Sequence, residues 1–175
     1  MPKKLIKKWL PDARKLHATG ALRPFGRLAD NINLWHLNRR TAAGAFAVGL
    51  FYAFMPVPFQ MVLAAATAII LKVNLPLSVA LVWVSNPLTM PAMLYGSYRL
   101  GAWLLNQPGD SFLFELSWSW FQASLYTVAP SLLVGSVILG SLASVAGYLT
   151  IRTLWRQAVR SAWRERQRRR DSAGE

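Results

Sequence analysis

Met55-Pro56-Val57-Pro58-Phe59-Gln60 and Ser85-Asn86-Pro87-Leu88-Thr89-Met90-Pro91 each break an apolar segment near its middle. How these two stretches are read decides the fold. Between Arg40 and Lys72 lie 31 residues without a charge. As one straight helix they would extend about 46 Å, well beyond a hydrocarbon core of about 30 Å. Pro56 divides them into halves of 15 residues, each about 22 Å long and too short to cross. The economical arrangement is a re-entrant helical hairpin, with Arg40 and Lys72 on one face and the Pro-Val-Pro turn buried. A kinked, strongly tilted crossing is the competing geometry. After Asn74-Leu75-Pro76 a second run, residues 77–84, meets the second break and continues over residues 92–105. Its length again exceeds one span, which predicts a broken crossing or a second hairpin. Arg99 then lies one helical turn from Trp103, near an interface or a polar pocket. No water reaches the centre of a bilayer, so backbone freed by Pro56, Pro58, Pro87 and Pro91 must find partners within the protein or line a polar cavity.

Charge sharpens this reading. Of the 175 residues, 54% are hydrophobic and the net charge is +13. Residues 1–40 carry ten Lys/Arg and two acids, and residues 151–175 carry eight Arg and three acids. The 110 residues between hold only Lys72, Arg99, Asp110 and Glu115. The expected fold class is therefore all-α, an integral membrane helical protein with proline-broken or re-entrant segments and amphipathic terminal helices. Its expected parts are a basic cytoplasmic or interfacial arm (1–40), a membrane domain (41–150), and a basic amphipathic helix and tail (151–175). Basic flanks stay in the cytoplasm, so both termini are expected there and the number of complete crossings is expected to be even. The start lacks the long apolar run and small-residue cleavage site of a signal peptide, so the amino terminus is expected to be kept.

At the amino end, Lys3, Lys4, Lys7 and Lys8 fall on one side of a helix and Leu5, Ile6, Trp9 and Leu10 on the other, a pattern suited to the headgroup layer. Asn106-Gln107-Pro108-Gly109-Asp110 is a turn by composition. Trp118, Trp120 and Tyr126 suit an interfacial belt, and Pro130 precedes a conventional span over residues 131–149. Within that span Ser136, Gly140 and Ser144 repeat at four-residue spacing, with Ala143 and Gly147 beside them. Such a stripe permits close helix contact, with this chain's own hairpin or with a second copy. Arg152, Arg156, Arg160 and Arg164 then recur at i+4 beside Ile151, Trp155, Val159 and Trp163, a surface suited to anionic lipid. The two-sidedness fails at Arg166, and residues 167–175 read as a frayed tail.

Gly44, Gly49-Leu50-Phe51, the Met55–Gln60 turn, Asn74-Leu75-Pro76 and Ser85-Asn86-Pro87-Leu88-Thr89 together resemble the bacterial membrane family known as domain of unknown function 2062. Where such families usually show a glycine after the proline turn, this chain has Phe59 before Gln60. The resemblance implies a bacterial inner-membrane protein. Some relatives are joined to glycosyltransferase domains, which points to envelope lipids or polysaccharide. It assigns no catalytic residue.

The residues themselves argue against catalysis. No cysteine is present, and His17 and His36 stand 19 residues apart without carboxylates at ligand spacing, so no metal, cofactor or catalytic group is expected. The embedded stretch also lacks the buried acids of an ion-coupled carrier. Two readings stay open. In one, a small membrane anchor or scaffold uses its basic ends to hold anionic lipids or an envelope-biogenesis partner. In the other, the breaks form a site for an anionic lipid or glycolipid headgroup, with Gln60, Ser85, Asn86 and Thr89 as polar contacts and Arg99 as counter-charge. Free amides at the starts of half-helices favour such an anion. Nucleic acid is not an expected partner, because the positive-inside rule already explains the charge. Homo-oligomerisation stays open.

Overall fold

A computed structural model describes residues 31–107 and 128–171. Among them all regular structure is helical: α1 Ile32–Trp35, α2 Arg39–Phe54, α3 Gln60–Ile70, α4 Leu75–Val82, α5 Met90–Leu104 and α6 Ala129–Asp171. The Lys3, Lys4, Lys7 and Lys8 cluster, the Trp118, Trp120 and Tyr126 belt, and Asp110 and Glu115 lie outside the described residues.

The first uncharged segment folds as a helical hairpin. Asn38 starts α2 by accepting from the backbone N–H of Arg40 and Thr41, both at 2.9 Å, while its own N–H donates to Thr41 Oγ1 at 3.0 Å. This reciprocal capping box satisfies amides that a helix start otherwise leaves open. The chain turns at Met55–Phe59 and returns along α3, pinned by the Tyr52 hydroxyl and Thr67 Oγ1 at 2.8 Å. At the base, the Asn74 N–H donates to the Thr41 carbonyl at 3.2 Å. Arg40 and Lys72 therefore stand at the same end, as the hairpin reading requires. The Gly44 hydrogen faces Val73, where a Cβ would come within 2.4 Å of Cγ1, so glycine is what lets the hairpin close.

The second uncharged segment folds as a broken helix. Asn74, with Pro76 in the first turn, starts α4 through Leu77 N–H donating to its Oδ1 at 3.1 Å. Helix α4 runs alongside α2 in the same direction, and Gly49 lies against the Ser78 carbonyl and Leu81. After the second break the chain continues as α5. Pro87 lies in the turn, whereas Pro91 sits in the first turn of α5, where a missing N–H costs nothing and the fixed φ suits a helix. Pro91 thus opens a helix.

Helix α6 is the common wall. Its 43 residues extend about 64 Å, and it contacts α2 and α5 more extensively than any other elements meet. Gly101 and Gly135 make the α5 crossing: a Cβ on either would fall 1.7 Å from the carbonyl oxygen of Ser131 or Ser97 respectively. Further along, Gly140 meets Phe51 and Phe54, and Gly147 meets Leu50 and Phe46. The small-residue stripe therefore packs within this chain at Gly140 and Gly147. Helices α2 and α5 lie end to end along α6, both antiparallel to it. The helix also runs without interruption past residue 150 to Asp171, so residues 167–171, expected to fray, are helical.

The interior is unusual in what it contains. Asn74, Ser78, Ser97, Ser131 and Ser136 are fully buried along with Leu34, Ile69, Val82 and several alanines. Large apolar side chains such as Leu133, Val137, Val145, Leu149, Trp83 and Trp103 face outward. Among the described residues, Ala129–Ser161 within α6 is the one helix long and apolar enough to cross a membrane.

Candidate functional site

The two breaks meet. The Gln60 amide approaches Ser85 Oγ at 3.2 Å, joining the start of α3 to the end of α4. Around this contact is a cavity of about 250 Å³, lined by both breaks and by Met90, Met93 and Leu94 of α5.

Local chemistry explains each side of the cavity. Helix α2 stops because Pro56 follows Met55, and the residue before a proline is driven out of helical backbone; Met55 is extended at φ −78° and ψ 120°. The turn closes with Phe59 in the left-handed region at φ 59°, the conformation that glycine adopts without penalty. Phe59 adopts this conformation without being glycine, and its side chain is largely exposed. The Phe59 carbonyl then accepts from Val62 at 2.8 Å and Leu63 at 3.1 Å, starting α3.

Gln60 bridges the break. With its amide nitrogen turned to the end of α2, it donates to the carbonyls of Tyr52 at 3.1 Å and Met55 at 2.9 Å, and its oxygen faces Ser85 Oγ at 3.2 Å. The reverse orientation would set oxygen against oxygen at both carbonyls. Ser85 Oγ also reaches the Val82 carbonyl at 2.8 Å, so its single proton serves one acceptor at a time. Gln60 thereby partners the Met55 carbonyl, which the end of the helix would otherwise leave open, and adds a second donor to the Tyr52 carbonyl, which already accepts from Met55 N–H at 3.1 Å.

At the second break, Asn86 Oδ1 accepts from Leu88 N–H at 2.9 Å and Thr89 N–H at 3.1 Å. The Asn86 N–H donates to Thr89 Oγ1 at 3.0 Å, and the Thr89 hydroxyl donates to the Val84 carbonyl. The same arrangement begins α2, where Thr41 Oγ1 donates to the His36 carbonyl at 2.7 Å. Asn38-Arg39-Arg40-Thr41 and Asn86-Pro87-Leu88-Thr89 are thus two copies of one Asn-x-x-Thr cap. Gln60 and Ser85 line the cavity, while Asn86 and Thr89 are engaged with local backbone and do not line it. Arg99 is exposed on α5, nine residues beyond Met90 or about 14 Å along the helix, and also does not line the cavity.

Two further features receive no role from a reading of the sequence. Tyr52 and Thr67 hold the hairpin across 15 residues, a pairing with no local signature. Asn74, fully buried, serves two helices at once, and its Nδ2 has no partner among the described residues. Its Asn-Leu-Pro spacing was the available signal. No group of three or more His, Cys, Asp or Glu that could hold a metal occurs among the described residues.

The bacterial family described as "Uncharacterized protein conserved in bacteria (DUF2062)" matches residues 22–164. This chain belongs to that family. The match takes in the hairpin, both breaks and most of α6. No curated protein and no solved structure matches the chain.

Proposed function

We propose that this DUF2062 protein is a small anchor of the bacterial inner membrane, with both termini in the cytoplasm, whose basic end holds anionic lipids or an envelope-biogenesis partner and which performs no reaction of its own. The observation that carries this reading is the inverted distribution of side chains. Along α6 the buried positions are Ser131, Gly135, Ser136 and Gly140, while Leu133, Val137, Val145 and Leu149 face outward. In water that surface would be costly; in lipid it is the expected one, with small residues at the helix contacts.

The charge boundaries support the same placement. Arg40, Lys72 and Arg152 border the uncharged stretches and gather at one end of the bundle. In this orientation α2–α3 is the re-entrant hairpin, α4–α5 a broken crossing and α6 the return. From Arg152 to Gly140, opposite the first break, is 12 residues, or about 18 Å, a separation compatible with breaks lying well inside a core of about 30 Å. Single-cysteine labelling tests this cleanly, because the chain has no native cysteine. Lys72→Cys is expected to label from the cytoplasm, Gln107→Cys from the other face, and Val57→Cys and Leu88→Cys only after solubilisation. Labelling of Lys72→Cys and Gln107→Cys from one face would overturn it. The anchoring role predicts that deleting residues 151–175 abolishes function while Gln60→Ala preserves it.

A second reading is favoured by the cavity itself, in which Gln60 and Ser85 project among apolar walls. It makes the breaks a site for the headgroup of an anionic lipid or glycolipid. Here Gln60→Ala would abolish activity at normal protein abundance.

A further inference from the structure

A second hollow lies at the charged end, about 210 Å³ in volume, where Arg39, Arg40 and Ala43 of α2 face Tyr148 and Arg152 of α6. Three guanidinium groups from two helices line it. Arginine stays protonated under all ordinary conditions, and no ion pair to any of the three occurs among the described residues. We propose that this hollow is a binding site for one phosphate-bearing anion. The site needs only the pocket; the membrane placement above bears on where the anion comes from.

The arrangement opposes stability and suits a ligand. Arg39 and Arg40 occupy the first turn of α2, which contains no acid, so they sit at the positive end of the helix dipole, where cations are unfavourable. The amides of Arg40 and Thr41 are already taken by Asn38, so recognition falls to the side chains. Arg152 is positioned by Tyr148, donating from Nη1 to its hydroxyl at 3.4 Å with the guanidinium 5.8 Å from the ring centroid. The Tyr148 hydroxyl, accepting from Arg152, retains its own proton to donate to an anion. Guanidinium forks match phosphate oxygens in pairs, and such charge-assisted bonds are shorter and stronger than neutral ones. The location favours a headgroup: Arg152 is the first charge after the 23 uncharged residues that begin α6, and Arg40 is the last before the uncharged hairpin.

The test uses the full chain purified in an uncharged detergent, titrated calorimetrically with short-chain phosphatidylglycerol and separately with inorganic phosphate. Wild type should bind at least one probe saturably at a single site. Arg39→Gln and Arg152→Gln should each weaken binding about tenfold, and Arg152→Lys, which keeps the charge but loses the fork, should weaken it to a lesser degree. The variant Lys72→Gln removes an exposed charge at the same end of the bundle but outside the hollow and should change affinity less than about twofold. Tighter binding of the lipid assigns the anion to the bilayer, and equal or tighter binding of phosphate assigns it to solution; both support the site. Equal weakening by the pocket and control variants would overturn the pocket while leaving a diffuse basic surface intact. Absence of saturation with both probes would overturn it as well. Cysteine labelling reports on membrane placement independently of either result.

Discussion

At the break cavity the polar side chains already have work to do: Gln60 serves two carbonyls and contacts Ser85, and Asn86 and Thr89 cap the turn into α5. At the arginine hollow no protein acid answers Arg39, Arg40 or Arg152 among the described residues, and Tyr148 only orients one of them. The difference follows from what each region must satisfy. A helix interrupted inside a bundle leaves backbone donors and acceptors that nearby Asn, Gln, Ser and Thr are the cheapest means of partnering. A guanidinium has no backbone debt to settle and only donates. Polar residues at a break are therefore weak evidence for a ligand, and unanswered cations in a hollow are stronger evidence.

Substitutions can break or sharpen this contrast, each read by thermal or chemical unfolding of the purified chain. The largest effect is expected from Gly101→Ala. A methyl there collides with the Ser131 carbonyl, so α5 must move off α6 at a cost of about 3 kcal/mol. This would disturb the α5 wall of the break cavity and leave the arginine hollow, which α5 does not line. Next, Gln60→Leu should destabilise by about 2 kcal/mol, because the Met55 carbonyl loses its side-chain donor while the Tyr52 carbonyl keeps only the Met55 N–H. Asn86→Ala should cost about 1 kcal/mol, the usual value of a lost cap. Phe59→Gly should go the other way, gaining at most about 1 kcal/mol by relieving the left-handed backbone. Arg152→Gln should change stability by no more than about 0.5 kcal/mol. If Gln60→Leu and Asn86→Ala proved neutral while Arg152→Gln unfolded the chain, the contrast would be inverted.

Much of the architecture was legible because prolines and charges are blunt signals. Pro56 and Pro58 marked the first turn, and Arg40 and Lys72 marked the ends of a hairpin that Asn74 and Thr41 do close. The end of α6 was less legible, since loss of two-sidedness at Arg166 does not stop a sequence rich in good helix formers, and the helix reaches Asp171. The site was legible in part. Assigning the two breaks to one site put Gln60 beside Ser85, and the two side chains do meet at 3.2 Å. The capping roles of Asn86 and Thr89 were visible only by noticing that Asn38-Arg39-Arg40-Thr41 has the same spacing. The arginine hollow could not be read at all from spacing, because Arg40 and Arg152 are 112 positions apart and meet only through the antiparallel packing of α2 on α6.

That packing also makes the described part of the body taper. Near the arginines, α2, α3, α4 and α6 lie side by side, whereas beyond the breaks the described residues leave α5 and α6 alone. Embedded as proposed, the described helices would displace more lipid from the leaflet at the arginine end than from the other. The wider leaflet would then bow outward, and partitioning between small and large vesicles of one composition would measure the preference.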